Sequence, residues 1–249
     1  MQTYTNMTWP DDPYRTGQQL YRRPAPRLAA FTVDPATAGN FRQPHAFAIV
    51  YLPLHRTQAL IVTEPTLTFG FRAASADGDP ETSRMAKLAD LDLMQARRHA
   101  AFLAGYKLAD DLIALQNAAR GDVLRGVAAV TEEWADRHAH PRGRAAMFDC
   151  GLDFLGTASL EQACEHSEVS LPTARCSAQR NTPADGEYAA AVAAVERALA
   201  IALVSARHLD RYTWEGTLQT EALMAANAWD CFPRRPTDHE TSVPDSRLG

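Results

Sequence analysis

The chain has 249 residues, 46% of them hydrophobic and 22% charged, and a formal net charge of −5. That is an ordinary globular composition with enough chain for one sizeable core. The slightly acidic balance excludes the electrostatic footprint of a general duplex-binding protein. None of the four cysteines (Cys150, Cys164, Cys176, Cys231) sits at Cys-x-x-Cys spacing, so no zinc site is indicated.

Residues 1–25 read as a polar arm carrying Trp9, Tyr14 and Tyr21, with no signal-peptide pattern. Leu28, Ala29, Ala30, Phe31 and Val33 then form an apolar run that ends in Asp34 and a turn. Strands are predicted over roughly 27–34, 45–53 and 59–72, which makes a β-meander. Asp77, Asp79 and Glu81 follow as an acidic loop, read as a solvated turn or as a source of one more acid. Met85, Leu88, Leu91 and Leu93 recur at helical spacing and predict a helix over 81–102.

A short strand near 102–106 runs into a helix over 109–119, with Asp110 and Asp111 in its first turn and Leu108, Leu112 and Leu115 turned to the core. An acid at such a junction projects into the crevice where open sheets place their sites. The plainer use is Asp110 as a cap and Asp111 as a dipole partner. A helix over 124–137 follows, then the basic stretch Arg137 to Arg144, read as a solvated loop, and a strand over 145–150. Ser159 is placed to cap a helix over 159–166, with Gln162 at the capping-box spacing.

Residues 175–186 read as a rim loop and 187–211 as a long Ala-rich helix. Glu196 and Arg197 interrupt its apolar run, so no segment reaches membrane-spanning character. Arg207, His208 and Arg211 at its end could touch phosphate or serve the helix dipole. Tyr212 and Trp214 could stack a base or pack the tail onto the core. A last small helix over 217–229 precedes a disordered tail over 233–249. The fold class is α/β: one domain over 26–232 with a mixed central sheet, an antiparallel meander then parallel strands, flanked by helices. The expected compartment is the reducing cytoplasm.

The order of strands, turns and acids resembles the DEDD-type 3′–5′ exonucleases of the ribonuclease H-like superfamily. The family's first strand ends in Asp-x-Glu-Thr-x-Gly, and the matching residues are Asp34, Pro35, Ala36, Thr37, Ala38 and Gly39. Its Gly-His-Asn strand end with a following Asp is matched by Gly105, Tyr106, Lys107 and Asp111. Phe148-Asp149 and the run from Ser159-Leu160 to Cys164 fit its third feature, in which the Asp is structural. The last acid falls on the long helix, at Glu196.

The resemblance implies two divalent cations, Mg²⁺ or Mn²⁺, about 4 Å apart and held by carboxylates. Asp34, Asp111 and Glu196 are the implied catalytic and metal-binding residues, and Thr37 and Lys107 the implied substrate contacts. The implied partner is the 3′ end of a single-stranded nucleic acid, with a protein partner as the other possibility and no membrane.

The departures bear on activity. Ala36 stands where the family has Glu and removes a metal ligand. Tyr106 and Lys107 replace His and Asn, and Ala191 and Val192 stand where a water-positioning His or Tyr would precede the last acid. Each such group is worth roughly 10²-fold or more. Two-metal hydrolysis is therefore expected to be impaired, and the alternative is an inactive pseudo-exonuclease that serves as a nucleic-acid or protein binding module.

Overall fold

The computed structural model describes residues 1–7, 26–35, 44–139, 143–154, 156, 159–172, 183–227 and 231, with the backbone only at 35, 139 and 183–187. Most of the predicted arm, the stretch 36–43, the middle of the basic stretch, most of the rim loop and the predicted tail lie outside these residues.

In chain order the first elements are β1 (Gln2–Thr5), β2 (Arg27–Pro35), β3 (Pro44–Pro53), β4 (Leu60–Ile61), β5 (Gly70–Ser75), α1 (Asp79–His99), β6 (Phe102–Gly105) and α2 (Leu108–Ala118). The rest are α3 (Arg125–Ala135), β7 (Ala146–Asp149), α4 (Leu160–His166), β8 (Val169–Ser170), α5 (Pro183–His208), β9 (Tyr212–Thr213), β10 (Leu218–Gln219) and α6 (Thr220–Asn227).

Six strands form one mixed sheet in the order β1-β5-β3-β2-β6-β7. β2, β3 and β5 make the antiparallel meander, and β6 and β7 continue it in parallel from β2. β2 and β3 are central and covered on both faces, which is why they read as continuous apolar runs without alternation. Leu28 and Ala30 face α5, whereas Ala29, Phe31 and Val33 face α1 and α2.

α5 crosses β2, β3 and β5 and is buried almost all round from Ala190 to Ala206. Its small residues let backbone and sheet approach closely. The segment Tyr188–His208 is long and apolar enough to cross a membrane, but 72% of its most apolar window is buried, as in the core helix of a soluble protein.

The short strands β8, β9 and β10 were not predicted, and Asp79 and Glu81 of the expected acidic loop lie in the first turn of α1. Two further differences concern β1 and the third meander strand. β1 begins inside the predicted polar arm and pairs antiparallel with the β5 edge. The strand predicted over 59–72 is two separate pieces. β4 pairs in parallel with β9, the turn from Thr63 to Leu67 intervenes, and only from Gly70 does the chain rejoin the sheet. Pro65 in that turn has no N–H to give a ladder.

Candidate functional site

The site lies where the parallel strands β2, β6 and β7 end. Pairing between β2 and β6 stops at Ala30 and Ala104. The chain then turns sharply at Lys107, whose left-handed backbone (φ 52°) launches α2. Asp149, at the end of β7, fixes this turn. Its carboxylate accepts the Lys107 N–H at 2.9 Å and the N–H groups of Gly151 and Leu152 at 3.0 Å each. Gly105 is required just before the turn, because a Cβ there would come within 2.7 Å of the Leu108 Cβ.

α2 then brings Asp111 back to the end of β2. Its Oδ2 accepts the Val33 N–H at 3.1 Å, a group that lies beyond the last pairing with β6. The nearby Thr32 hydroxyl favours the charged form of the same carboxylate. Burial pushes the Asp111 carboxyl up to about 7, against the pull of the Val33 N–H, the Arg197 charge and Thr32. Asp111, in the first turn of α2 as predicted, is thus also tied to the strand end. Asp110 is exposed, and the cap position of α2 is Lys107, without a side-chain cap.

Arg197 of α5 closes the site from the opposite side of the sheet. Its Nε donates to the Thr32 Oγ at 3.2 Å. Its guanidinium carbon lies 5.8 Å from the Tyr106 ring centre, and the Lys107 Nζ lies 5.4 Å from the same centre. The Arg197 charge also reaches Cys150, Glu161 and Cys164. Burial raises both thiols, Cys164 to about 12, so neither is a ready nucleophile.

The sequence-predicted residues divide accordingly. Asp34 directly follows Val33 at the β2 end, half-buried beside a register shift at Pro35, so Asp34 and Asp111 share one strand end. Lys107 is exposed at the rim. Thr37, Ala36 and Gly39 lie outside the described residues.

Glu196 is not brought to this pair. It faces Glu221 of α6, and burial together with that neighbouring charge pushes it up to about 7. Among the described residues no group of three or more His, Cys, Asp and Glu side chains could hold a metal. The undescribed stretch 36–43 holds no carboxylate either. Among the described residues, the β2 end therefore sets Asp111 near the Arg197 guanidinium and offers no third oxygen ligand beside Asp34 and Asp111.

Other candidates take structural roles. Glu81 accepts the Asp77 N–H at 3.2 Å, and Asp79 pairs with Arg120. Arg137 forks onto Asp153, and Arg144 joins Arg97 on Glu133. The Tyr212 hydroxyl donates to the Pro53 carbonyl at 2.6 Å, and the Trp214 Nε1 to the Glu168 carbonyl at 3.2 Å, which packs the tail onto the core. Ser159 caps α4 through the Gln162 N–H, as its spacing predicted.

Thr32 and Arg197 are the site residues that sequence reasoning missed. Each is a polar residue inside an apolar run, and that interruption was the available signal. No protein-family model and no curated protein matches the chain.

Proposed function

We propose that this chain is a ribonuclease H-like protein akin to the DEDD exonucleases, and that it binds single-stranded nucleic acid at a 3′ end without hydrolysing it. The sheet order supports the scaffold half of this reading. A three-stranded antiparallel meander extended by two parallel strands, with two acids at the end of the first meander strand, is what the resemblance implies.

The observation that carries the second half is the Arg197 guanidinium, bonded to Thr32 beside Asp111. A guanidinium neutralises carboxylate charge, but it has no acceptor and no open coordination position. It cannot bind a water and lower its pKa as a metal does. Ala36 removes a further ligand from the same place.

The test is Mg²⁺- or Mn²⁺-dependent release of 3′-terminal nucleotides from single-stranded DNA and RNA, beside the Asp34→Asn, Asp111→Asn double variant. The expected result is no release above the variant with either cation or either polymer, while the wild-type chain still retains the oligonucleotide. Release that disappears in the variant would overturn the proposal and make the chain a working exonuclease.

A further inference from the structure

The turn at Lys107 is held from a distance. A left-handed backbone is unfavourable for any residue but glycine and persists only where the surroundings fix it. Here the fixing group is the Asp149 carboxylate, which is 1% exposed and accepts three backbone N–H groups, those of Lys107, Gly151 and Leu152. None of these donors carries a charge. Four residues on, the Asp153 side chain is only 8% exposed. Its Oδ2 accepts the Asp149 N–H at 2.7 Å, so one turn contains two nearly buried carboxylates.

Arg137 supplies a cation to both. It opens the short turn Arg137–Ala139 after α3. Its Nε donates to the Asp153 Oδ2 at 2.9 Å and its Nη2 to the Oδ1 at 2.6 Å. The same charge acts on Asp149. The guanidinium carbon lies 5.4 Å from the ring centre of the buried Trp134 of α3. Burial opposes ionisation of Asp153, but the Arg137 fork and the Asp149 N–H outweigh it and hold the carboxyl below the usual carboxylate range. The exposed His138 comes no nearer than 3.9 Å to the same carboxylate, beyond hydrogen-bond reach.

These contacts run in series. Arg137 holds Asp153, Asp153 takes the Asp149 N–H, and Asp149 takes the Lys107 N–H. Lys107 launches α2, which has no side-chain cap of its own, and the first turn of α2 sets Asp111 on the Val33 N–H. Without Arg137 the two neighbouring carboxylates must take up a proton or move apart. Either response disturbs the acceptor on which the Lys107 turn depends.

We propose that Arg137 is a positioning residue of the strand-end site: through Asp153 and Asp149 it holds the Lys107 turn and so sets Asp111 on β2. This rests on the strand end being the site of the reading above, and its main readouts need no bound strand.

The experiment is NMR of the full chain and its Arg137→Met and Arg137→Lys variants. It reads amide hydrogen exchange at Lys107 and Val33 and the Asp111 carboxyl titration, with fluorescence anisotropy of labelled oligothymidylate in parallel. Val130→Ala, which removes core volume from α3 outside the series, is the control for general destabilisation. Loss of a charged hydrogen-bond partner is worth about tenfold or more in local opening. Arg137→Met is expected to speed exchange at Lys107 and Val33 by that factor relative to the amides of β3. It should also move the Asp111 titration and weaken oligonucleotide binding. Arg137→Lys, which keeps the charge but loses the fork, should recover part of each. Val130→Ala should leave the Asp111 titration where it is in wild type.

Wild-type exchange at both amides and a wild-type Asp111 titration in Arg137→Met would overturn the positioning role. The same changes in Val130→Ala would overturn it too. Faster exchange in Arg137→Met, with no oligonucleotide binding by the wild-type chain, would overturn the binding reading and keep the positioning role. Should Arg137→Met fail to fold, Arg137→Lys decides: faster exchange at Lys107 supports the series, and wild-type exchange there overturns it.

Discussion

Asp111 is an acid whose carboxyl stands near 7 in the folded protein and near 3.8 when unfolded. Between those values the folded state holds more protons than the unfolded one, so this group lowers stability as the pH rises from about 4 to about 7. Above that range both states are ionised and the penalty is constant. Asp111→Asn cannot ionise but can still accept the Val33 N–H. Relative to wild type the variant should therefore gain stability between pH 5 and pH 8, on the order of 2 kcal/mol. Urea unfolding at the two pH values measures it, and an equal difference at both would refute the raised carboxyl. Removing the nearby cation acts in the other direction on the carboxyl itself: Arg197→Met should push it further up, visible in a carboxyl NMR titration. Asp92, pushed up to about 6 by burial despite its ion pair with Arg72, adds a smaller contribution of the same sign.

Among the elements, α3 shows how one helix start is capped from another. Its own cap position, Leu124, has no side-chain acceptor, and the Val127 N–H is taken at 2.8 Å by Asp90 of α1. Gly126 permits the approach, since a Cβ there would stand 2.2 Å from the Asp90 carbonyl oxygen. Gly126→Ala should force α1 and α3 apart and cost about 2 kcal/mol or more. Asp90→Ala should cost about 1 kcal/mol, as loss of a cap does. Thermal unfolding of both variants checks the order, and a harmless Gly126→Ala would contradict this packing.

How legible each element was in the sequence follows from its burial. β2 and β3 were plain because both faces are apolar. β1 was not, because Gln-Thr-Tyr-Thr buries only Tyr4 and shows no run. The choice between Glu196 and Arg197 was beyond the pattern. α5 is apolar all round, so periodicity has no polar face against which to phase the two adjacent charges. The acids at the ends of β2 and α2 were legible because they interrupt apolar runs at turns. Thr32 interrupts its run too, but the signal is weak because a β-branched residue fits a strand readily.

At the scale of the whole molecule, the sheet parts the interior into two cores. One gathers α5, α4 and α6 against one face, and the other gathers α1, α2 and α3 against the other face. Val204 and Val130 are fully buried, one in each. Val204→Ala and Val130→Ala should each cost about 2 kcal/mol, and the double variant should cost both within about 0.5 kcal/mol. A larger departure in urea unfolding would mean that strain crosses the strands.

The strand end is where this partition stops. There Asp111 arrives from one side onto the Val33 N–H, and Arg197 from the other onto the Thr32 hydroxyl. The adjacent residues Thr32 and Val33 thus join elements of the two cores at one point of β2. Whatever displaces Arg197 there changes what Asp111 holds, so a ligand at the strand end has a route into both halves that the packed sheet denies to a ligand on either face.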